Sequence, residues 1–390
     1  MLPSCSITVG AVQGTRPTFE DRVDISANLK AANPYIFAGV YDGHGGNNAA
    51  IAAQECMLKT IENQAGFDKS ENIPDCMKAA FLELNEKMRK DSTSWPRLPK
   101  TIFSRPGTTA TCAFITEKMI HIANVGDSPM FIIYYSAEKK AFSSKLCINL
   151  HVPEPSTSEY TRILNAGGNM SKRGNSFAVS CRHRMNYLRM TRALGDFWCQ
   201  NSIGFTKDLE PILSPEPECY SIPLDEEVVG VLIASDGFNL KEKKINKIVE
   251  RLNQEIGAGI AVNFAHRFLK ELYNVGHGKM DNVTIVCISF LNINNGIVHR
   301  GLTHYPLPSP STVSFNQLLT EDPYRQLLIR NGQVGYCKTE PERFERIHPL
   351  EATKKHLEPG YISPASSYLP IAVKKLNSEI ERYFRVMRKA

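Results

Sequence analysis

The stretch Ile36-Phe37-Ala38-Gly39-Val40-Tyr41-Asp42-Gly43-His44-Gly45-Gly46 limits what this chain can become more than any other. An apolar run that stops at an acid, an imidazole and a glycine cluster reads as a buried strand delivering a carboxylate and a histidine to its end. Glycines beside Asp42 let the backbone approach a ligand that a Cβ would keep away. Alone, Asp42-Gly43 is equally an ordinary turn dipeptide.

Three further apolar runs carry an aspartate at one end. Val228 to Ser235 runs into Asp236-Gly237, Asp281-Asn282 precedes Val283 to Phe290, and Asp127 lies between Met119–Val125 and Met130–Tyr135. With Glu20-Asp21 near the N-terminus they form a set of carboxylates at strand ends. Hard, oxygen-seeking cations such as Mg²⁺ and Mn²⁺ are held in this way.

Three hundred and ninety residues suit one large core plus an appendage. Ten cysteines without a Cys-x-x-Cys pair are expected to be reduced thiols. Met1 to Gly10 has neither a basic leader nor a long apolar segment, and nowhere do 18 uncharged apolar residues follow one another. The expectation is an intracellular protein, in nucleus or cytoplasm, without a membrane span. The net charge of +6 is uneven: residues 292–390 carry 14 Lys/Arg against 9 Asp/Glu, leaving 32 against 31 for residues 1–291. A nearly neutral body lacks the basic face that nucleic-acid binding requires.

Strands are expected at 7–12, 23–25, 109–115, 118–125 and 130–135, and helices at 47–63, 73–92, 242–256 and 260–273. In the second helix Cys76, Met77, Ala80, Phe81, Leu84 and Met88 form one apolar stripe. Ser156-x-x-Glu159 predicts a capping box opening a helix that ends at Gly167-Gly168. Many strands with two helix pairs suggest two packed sheets flanked by helices. A strand beginning near Phe19 would put Glu20 and Asp21 on opposite faces, so both could touch one ion only through a local bend or a water.

Arg16 with Glu20-Asp21, Asp42 to Gly46, Gly107-Thr108-Thr109-Ala110, Gly126-Asp127-Ser128, Arg192-Ala193-Leu194-Gly195-Asp196, Ser235-Asp236-Gly237 and Asp281-Asn282 occur in an order that resembles the metal-dependent serine/threonine phosphatases of type 2C, the PPM family. The resemblance covers about residues 7 to 291. Trp198 and Ser214-Pro215-Glu216-Pro217-Glu218 bring it nearest the delta, DNA-damage-response branch. It implies an α+β fold of two packed antiparallel β-sheets flanked by helix pairs. It also implies Mg²⁺ or Mn²⁺, two ions and in some members a third, and phosphoprotein substrates.

A phosphate monoester repels hydroxide, so the protein's task is positioning and charge neutralisation. Two cations roughly 3.5 to 4 Å apart can hold and activate a water. Asp42 is the expected bridging ligand, joined by the Gly43 carbonyl, Asp236 and Asp281. The resemblance gives Glu20 a metal role, Asp21 a more outlying one, and Asp127 a place on a labile third ion, unless Asp127 is only a turn residue. Arg16 suits two phosphate oxygens, or else a surface ion pair with Glu20. His44 is the candidate acid for the leaving alkoxide, or an orienting group. The alternative function is a catalytically silent phosphoprotein-binding scaffold. Cys337-x5-Arg343 has the spacing of a thiolate phosphatase, but Pro341 lacks an N–H and Glu340 and Glu342 would repel phosphate.

Pro129 stands where the family commonly has arginine, Leu150 where aspartate is usual, and Asp236-Gly237-Phe238-Asn239 lacks the customary tryptophan. Lys172, Arg173, Arg182 and Arg184, with Arg189, form either a substrate-binding flap for acidic peptides or a solvated loop. The division expected is a catalytic domain at 1–291 and a proline-containing extension at 292–390. The extension's helical stripe after Ala372 packs on the core or serves a partner. A monomer is expected.

Overall fold

The computed structural model describes residues 2–29, 31, 33–97, 105–155, 157–174, 176–180, 187–200, 211–257, 264–275 and 281–290, with strand residues 305–306, 313–314, 325–330 and 333–338. In chain order, β1 (Cys5–Val12), β2 (Arg22–Asn28), β3 (Tyr35–Tyr41) and β4 (Gly43–His44) lead into α1 (Asn48–Glu62) and α2 (Ile73–Asp91). Then come β5 (Gly107–Thr108), β6 (Ala110–Ile115), β7 (Met119–Val125), β8 (Met130–Ser136), β9 (Ala141–Leu146) and α3 (Ser158–Asn165). They are followed by β10 (Asn169–Arg173), β11 (Ser176–Ser180), β12 (Leu194–Gly195), α4 (Phe197–Gln200), β13 (Glu218–Pro223) and β14 (Val228–Ala234). Helices α5 (Glu242–Gly257) and α6 (Phe264–Val275) precede β15 (Val283–Phe290), and the tail adds β16 (Tyr305–Pro306), β17 (Val313–Ser314), β18 (Arg325–Arg330) and β19 (Gln333–Lys338).

One sheet runs β16-β19-β18-β1-β15-β14-β8-β9 and the other β13-β7-β6-β3-β2-β17. Every pairing between these strands is antiparallel. Side chains alternate across each strand, which explains the unbroken apolar run of β3. Ile36, Ala38 and Val40 face Ile7, Val231 and Ile288 of the other sheet, while Tyr35, Phe37 and Tyr41 face α1 and α2. All seven residues are buried because both faces are covered. The predicted stripe of α2 is buried throughout, with Pro74 in its first turn and Arg89 and Lys90 in its last. Across the other sheet, Ile245, Ile248, Leu252, Phe268 and Leu269 pack on Leu232, Ile285 and Cys287. The helix-sheet-sheet-helix arrangement expected from the sequence is present.

Three local expectations change. The helix foreseen from Ser156 begins at Ser158 with Thr157 at its N-cap and no side-chain cap bond, Ser156 lying outside the described residues. Glu159 instead takes Arg162 and Arg192 at 2.8 Å each, because two guanidiniums outbid one backbone N–H for a buried carboxylate. The second strand starts at Arg22 rather than Phe19, so Glu20 and Asp21 precede the strand and its alternation does not govern them. Strands β9, β10, β11 and β13 have no counterpart in the sequence expectations, nor do β16–β19, which carry residues beyond 291 into both sheets. Cys337 lies within β19, opposite Gln326, and not in a phosphate-cradling loop. The predicted helix after Ala372 and Arg343 lie outside the described residues.

Candidate active site

Antiparallel packing brings the acidic strand ends to one end of the molecule. Asp42 follows β3 of one sheet, and Asp236 and Asp281 flank the adjacent strands β14 and β15 of the other. The two sheets join where the Asp236 N–H donates to Asp42 Oδ2 at 3.4 Å. Burial, reinforced by Asp21, Asp236, Asp127 and Asp281, pushes the Asp42 carboxyl well above the usual carboxylate range. Burial and then Asp236 raise Asp127 to about 7. Asp21 reaches about 7 as well, through burial first and the charges of Asp236 and Asp281 in addition.

Among the described residues no three carboxylate, imidazole or thiol groups form a ready-made cage. The donor chemistry nonetheless fits a cation. Both carboxylate oxygens of Asp21 and Oδ1 of Asp127 are buried and make no hydrogen bond of good geometry among the described residues, though the Ser235 and Thr284 hydroxyls stand beside Asp21. Unpaired buried carboxylates that repel one another are stabilised by a positive charge among them. Asp21 is fully buried inside this set, whereas Glu20 is half-buried and accepts from Thr18 Oγ1 at 3.0 Å and from the Gly46 N–H at 3.3 Å. Gly43 is buried in β4 beside Asp42.

Neutral side chains fix these acids. Thr109 Oγ1 accepts from the Asp42 N–H at 3.1 Å and meets Ser128 Oγ at 2.7 Å, tying the end of β3 to the turn carrying Asp127. Asn282 accepts from the Glu20 N–H at 2.9 Å and donates to the carbonyls of Gln13 and Thr18 at 2.8 and 3.0 Å. It thereby holds the loop that carries Arg16. Arg16 is exposed and pairs with Asp281, not with Glu20.

His44 Nε2 meets Asp196 Oδ2 at 2.5 Å, and Trp198 Nε1 donates to Asp196 Oδ1 at 3.0 Å. Burial lowers the His44 pKa, but Asp196 outweighs it and the net shift is upward. Gly107 makes the contact possible, since a Cβ there would lie 1.9 Å from Asp196 Oδ2 and 2.6 Å from His44 Nε2. The other ring nitrogen, His44 Nδ1, is buried without a partner among the described residues. Asp196, Thr109, Asn282 and Trp198 carried no expected part in the site from sequence. One signal did exist for Asp196, because Ala193-Leu194-Gly195-Asp196 repeats the pattern of an apolar run ending at an acid beside glycine.

Lys172 and Arg173 are exposed on the β10–β11 hairpin. Arg173 lies over the Tyr187 ring at 5.3 Å, and Arg189 donates to Ser176 Oγ at 2.7 Å. Arg182 and Arg184 lie outside the described residues.

Two sheets between helix pairs, with a converging set of aspartates at one end and an Asp-held histidine beside them, define the class of protein. A family model for protein phosphatase 2C matches residues 6–255, and the chain belongs to that family. It is 30% identical over 244 residues to bovine protein phosphatase 1B, covering 59% of this chain and 45% of that protein. Against probable protein phosphatase 2C 42 of Oryza sativa subsp. japonica the identity is 27% over 314 residues, with 72% and 83% covered. The fold is shared with a serine-threonine phosphatase 2C from Toxoplasma gondii at a TM-score of 0.57 and 15% identity, covering 74% and 96% of the two chains. No helix among the described residues is long and apolar enough to cross a membrane.

Proposed function

We propose that this chain hydrolyses phosphoserine and phosphothreonine in proteins with the aid of divalent cations. The observation that carries this reading is the set of mutually repelling aspartates, several of whose buried oxygens make no hydrogen bond of good geometry among the described residues, at the junction of the two sheets. Asp42, the Gly43 carbonyl, Asp236 and Asp281 are the residues that would hold two cations, with Glu20 and Asp21 beside them and Asp127 toward a third. Bound Mg²⁺ or Mn²⁺ supplies activation of the attacking water and neutralisation of the phosphate.

The chain's own residues do the rest. Arg16, exposed at the rim, has a planar fork suited to two phosphate oxygens. His44 gives a proton to the departing serine or threonine oxygen, and Asp196 keeps its ring oriented and favours its charged form. Lys172 and Arg173, with Arg182 and Arg184, favour acidic phosphopeptides. The delta-branch likeness around Trp198 supports a signalling phosphatase inside the cell, acting as a monomer in nucleus or cytoplasm, with the expected helix after Ala372 available to a partner.

The test is release of phosphate from phosphoserine and phosphothreonine peptides with Mn²⁺ or Mg²⁺ and with chelator. Cation-dependent release is expected. Tight phosphopeptide binding without release under any of these conditions would instead identify a scaffold.

A further inference from the structure

The turn that carries Asp127 is gripped on two sides. On one side Thr109 meets Ser128, and Thr111 Oγ1 lies 2.8 Å from both the Ser128 carbonyl and Asn124 Oδ1. On the other side stands His151, a residue that neither the aspartate set nor the proposed chemistry uses. Its Nδ1 accepts from the Gly126 N–H at 3.1 Å, and its own backbone N–H donates to the Gly126 carbonyl at 2.9 Å. Because Nδ1 is an acceptor, the ring proton sits on Nε2, which faces Glu218 Oε2 at 3.7 Å, beyond hydrogen-bond length. The His151 carbonyl accepts from the Thr191 N–H at 2.7 Å and from Thr191 Oγ1 at 3.2 Å. His151 is 2% exposed.

The grip matters because the turn is conformationally special. Gly126 has φ of 104°, and a Cβ there would lie 2.5 Å from Thr109 Cγ2. A backbone that only glycine tolerates well is not held by its own preferences. It needs outside bonds: His151 bonds both hydrogen-bonding groups of Gly126, and the Asn124 amide shares the Gly126 carbonyl at 3.3 Å and lies 3.5 Å from His151 Nδ1. The following residue is Asp127, whose Oδ1 is buried without a partner among the described residues.

We propose that His151 is a positioning residue for a divalent-cation site at Asp127: by bonding both backbone groups of Gly126, it fixes the direction in which the Asp127 carboxylate is presented. The assignment rests on reading Asp127 as a cation ligand. Groups that orient a metal ligand are worth about 10- to 100-fold in metal affinity.

The side-chain acceptor can be moved without removing polarity. In His151→Asn the amide oxygen sits at the same reach as Nδ1 and can still accept from Gly126, whereas in His151→Gln it lies one bond further out. Two measurements on the full chain decide the matter: amide hydrogen exchange of residues 126–128 without metal, and calorimetric titration with Mn²⁺ alone. Asp127→Asn identifies the Mn²⁺ step that depends on Asp127. For His151→Gln we expect faster exchange in the turn and an affinity about tenfold weaker at that step. His151→Asn should stay within about twofold of the unaltered protein in both, since the bond to Gly126 is retained. Equal impairment or unfolding of both variants would reduce His151 to general packing and overturn the proposal. Unchanged Mn²⁺ binding in His151→Gln, with or without a looser turn, would overturn it too. If Asp127→Asn itself leaves Mn²⁺ binding intact, the cation reading of Asp127 fails, and the positioning role falls with it.

Discussion

His44 and Asp196 are 152 residues apart in sequence, yet their side chains meet at 2.5 Å, and the second Asp196 oxygen is held by Trp198. If Asp196 acts through His44, removing both should cost no more than removing His44. His44→Ala should slow phosphoserine peptides about 10²- to 10⁴-fold, and aryl phosphates much less, because their leaving oxygen hardly needs a proton. Asp196→Asn should show the same substrate pattern at smaller size. Steady-state kcat on both substrates for the two single variants and the double variant checks this; multiplicative losses would place Asp196 elsewhere in the reaction.

Asp21 offers a test of the aspartate set that needs no turnover. Without metal its carboxylate is fully buried and repelled by Asp236 and Asp281, which the Ser235 and Thr284 hydroxyls only partly offset. Asp21→Asn should therefore raise the melting temperature in chelator, by a few degrees for about 1 kcal/mol. The same variant should gain less stability from Mn²⁺ than the unaltered chain. Thermal melts with chelator and with Mn²⁺ read both effects.

Glu159 gives a pH dependence remote from those acids. Its burial would raise its pKa, but Arg162 and Arg192 prevail and hold it down to about 2. A carboxylate depressed from its ordinary value of about 4.5 contributes stability that is complete above about 4.5 and is lost as pH falls toward 2. The shift corresponds to at most about 3 kcal/mol. Urea midpoints at pH 7 and pH 3 should differ less in Glu159→Gln than in the unaltered chain, with most of the variant's loss appearing at pH 7.

The tail covers both exposed sheet edges next to the N-terminus. Strand β18 pairs with β1 and β17 with β2. Ending the chain at Phe290 should leave two unpaired edges and promote self-association, which light scattering would detect. Ending it after Lys338 should leave the scattering as it is for the full chain. Equal scattering from the two truncated chains would remove any protective role from these strands.

Lys172 and Arg173 stand exposed on their hairpin. Replacing both with alanine should raise KM for acidic phosphopeptides severalfold at low salt, and much less once screening shortens to about 8 Å at physiological ionic strength. A small aryl phosphate should be unaffected. The ratio of the two kcat/KM values across a salt series is the measurement.

Elements whose signal is local were legible in the sequence. The run of β3 ending at Asp42, the stripe of α2 and the apolar lengths of β14 and β15 each reflect burial on fixed faces, which periodicity records. Asp42, Asp236 and Asp281 were legible for the same reason, since each terminates such a run. What escaped depends on partners far away in the chain. Glu159 turns from a helix cap to an ion pair because Arg192 folds back onto it. Strands β9 and β13 lie at sheet edges, where half-buried sequences such as Ala141–Leu146 and Glu218–Pro223 lack a strong alternation.

The register of β1 also bears on how this protein is made. Cys5 pairs with Phe290 and Val12 with Val283, so β1 is synthesised long before its inner neighbour β15. At about 5–20 residues per second, roughly 15–60 s separate the two on the ribosome. Through that interval the apolar side chains of β1 and the inward face of β2 and β3 have no opposite sheet to close on. The nascent chain must be kept from aggregating until β14 and β15 emerge, so this fold's demand on chaperones falls between the synthesis of β3 and that of β15.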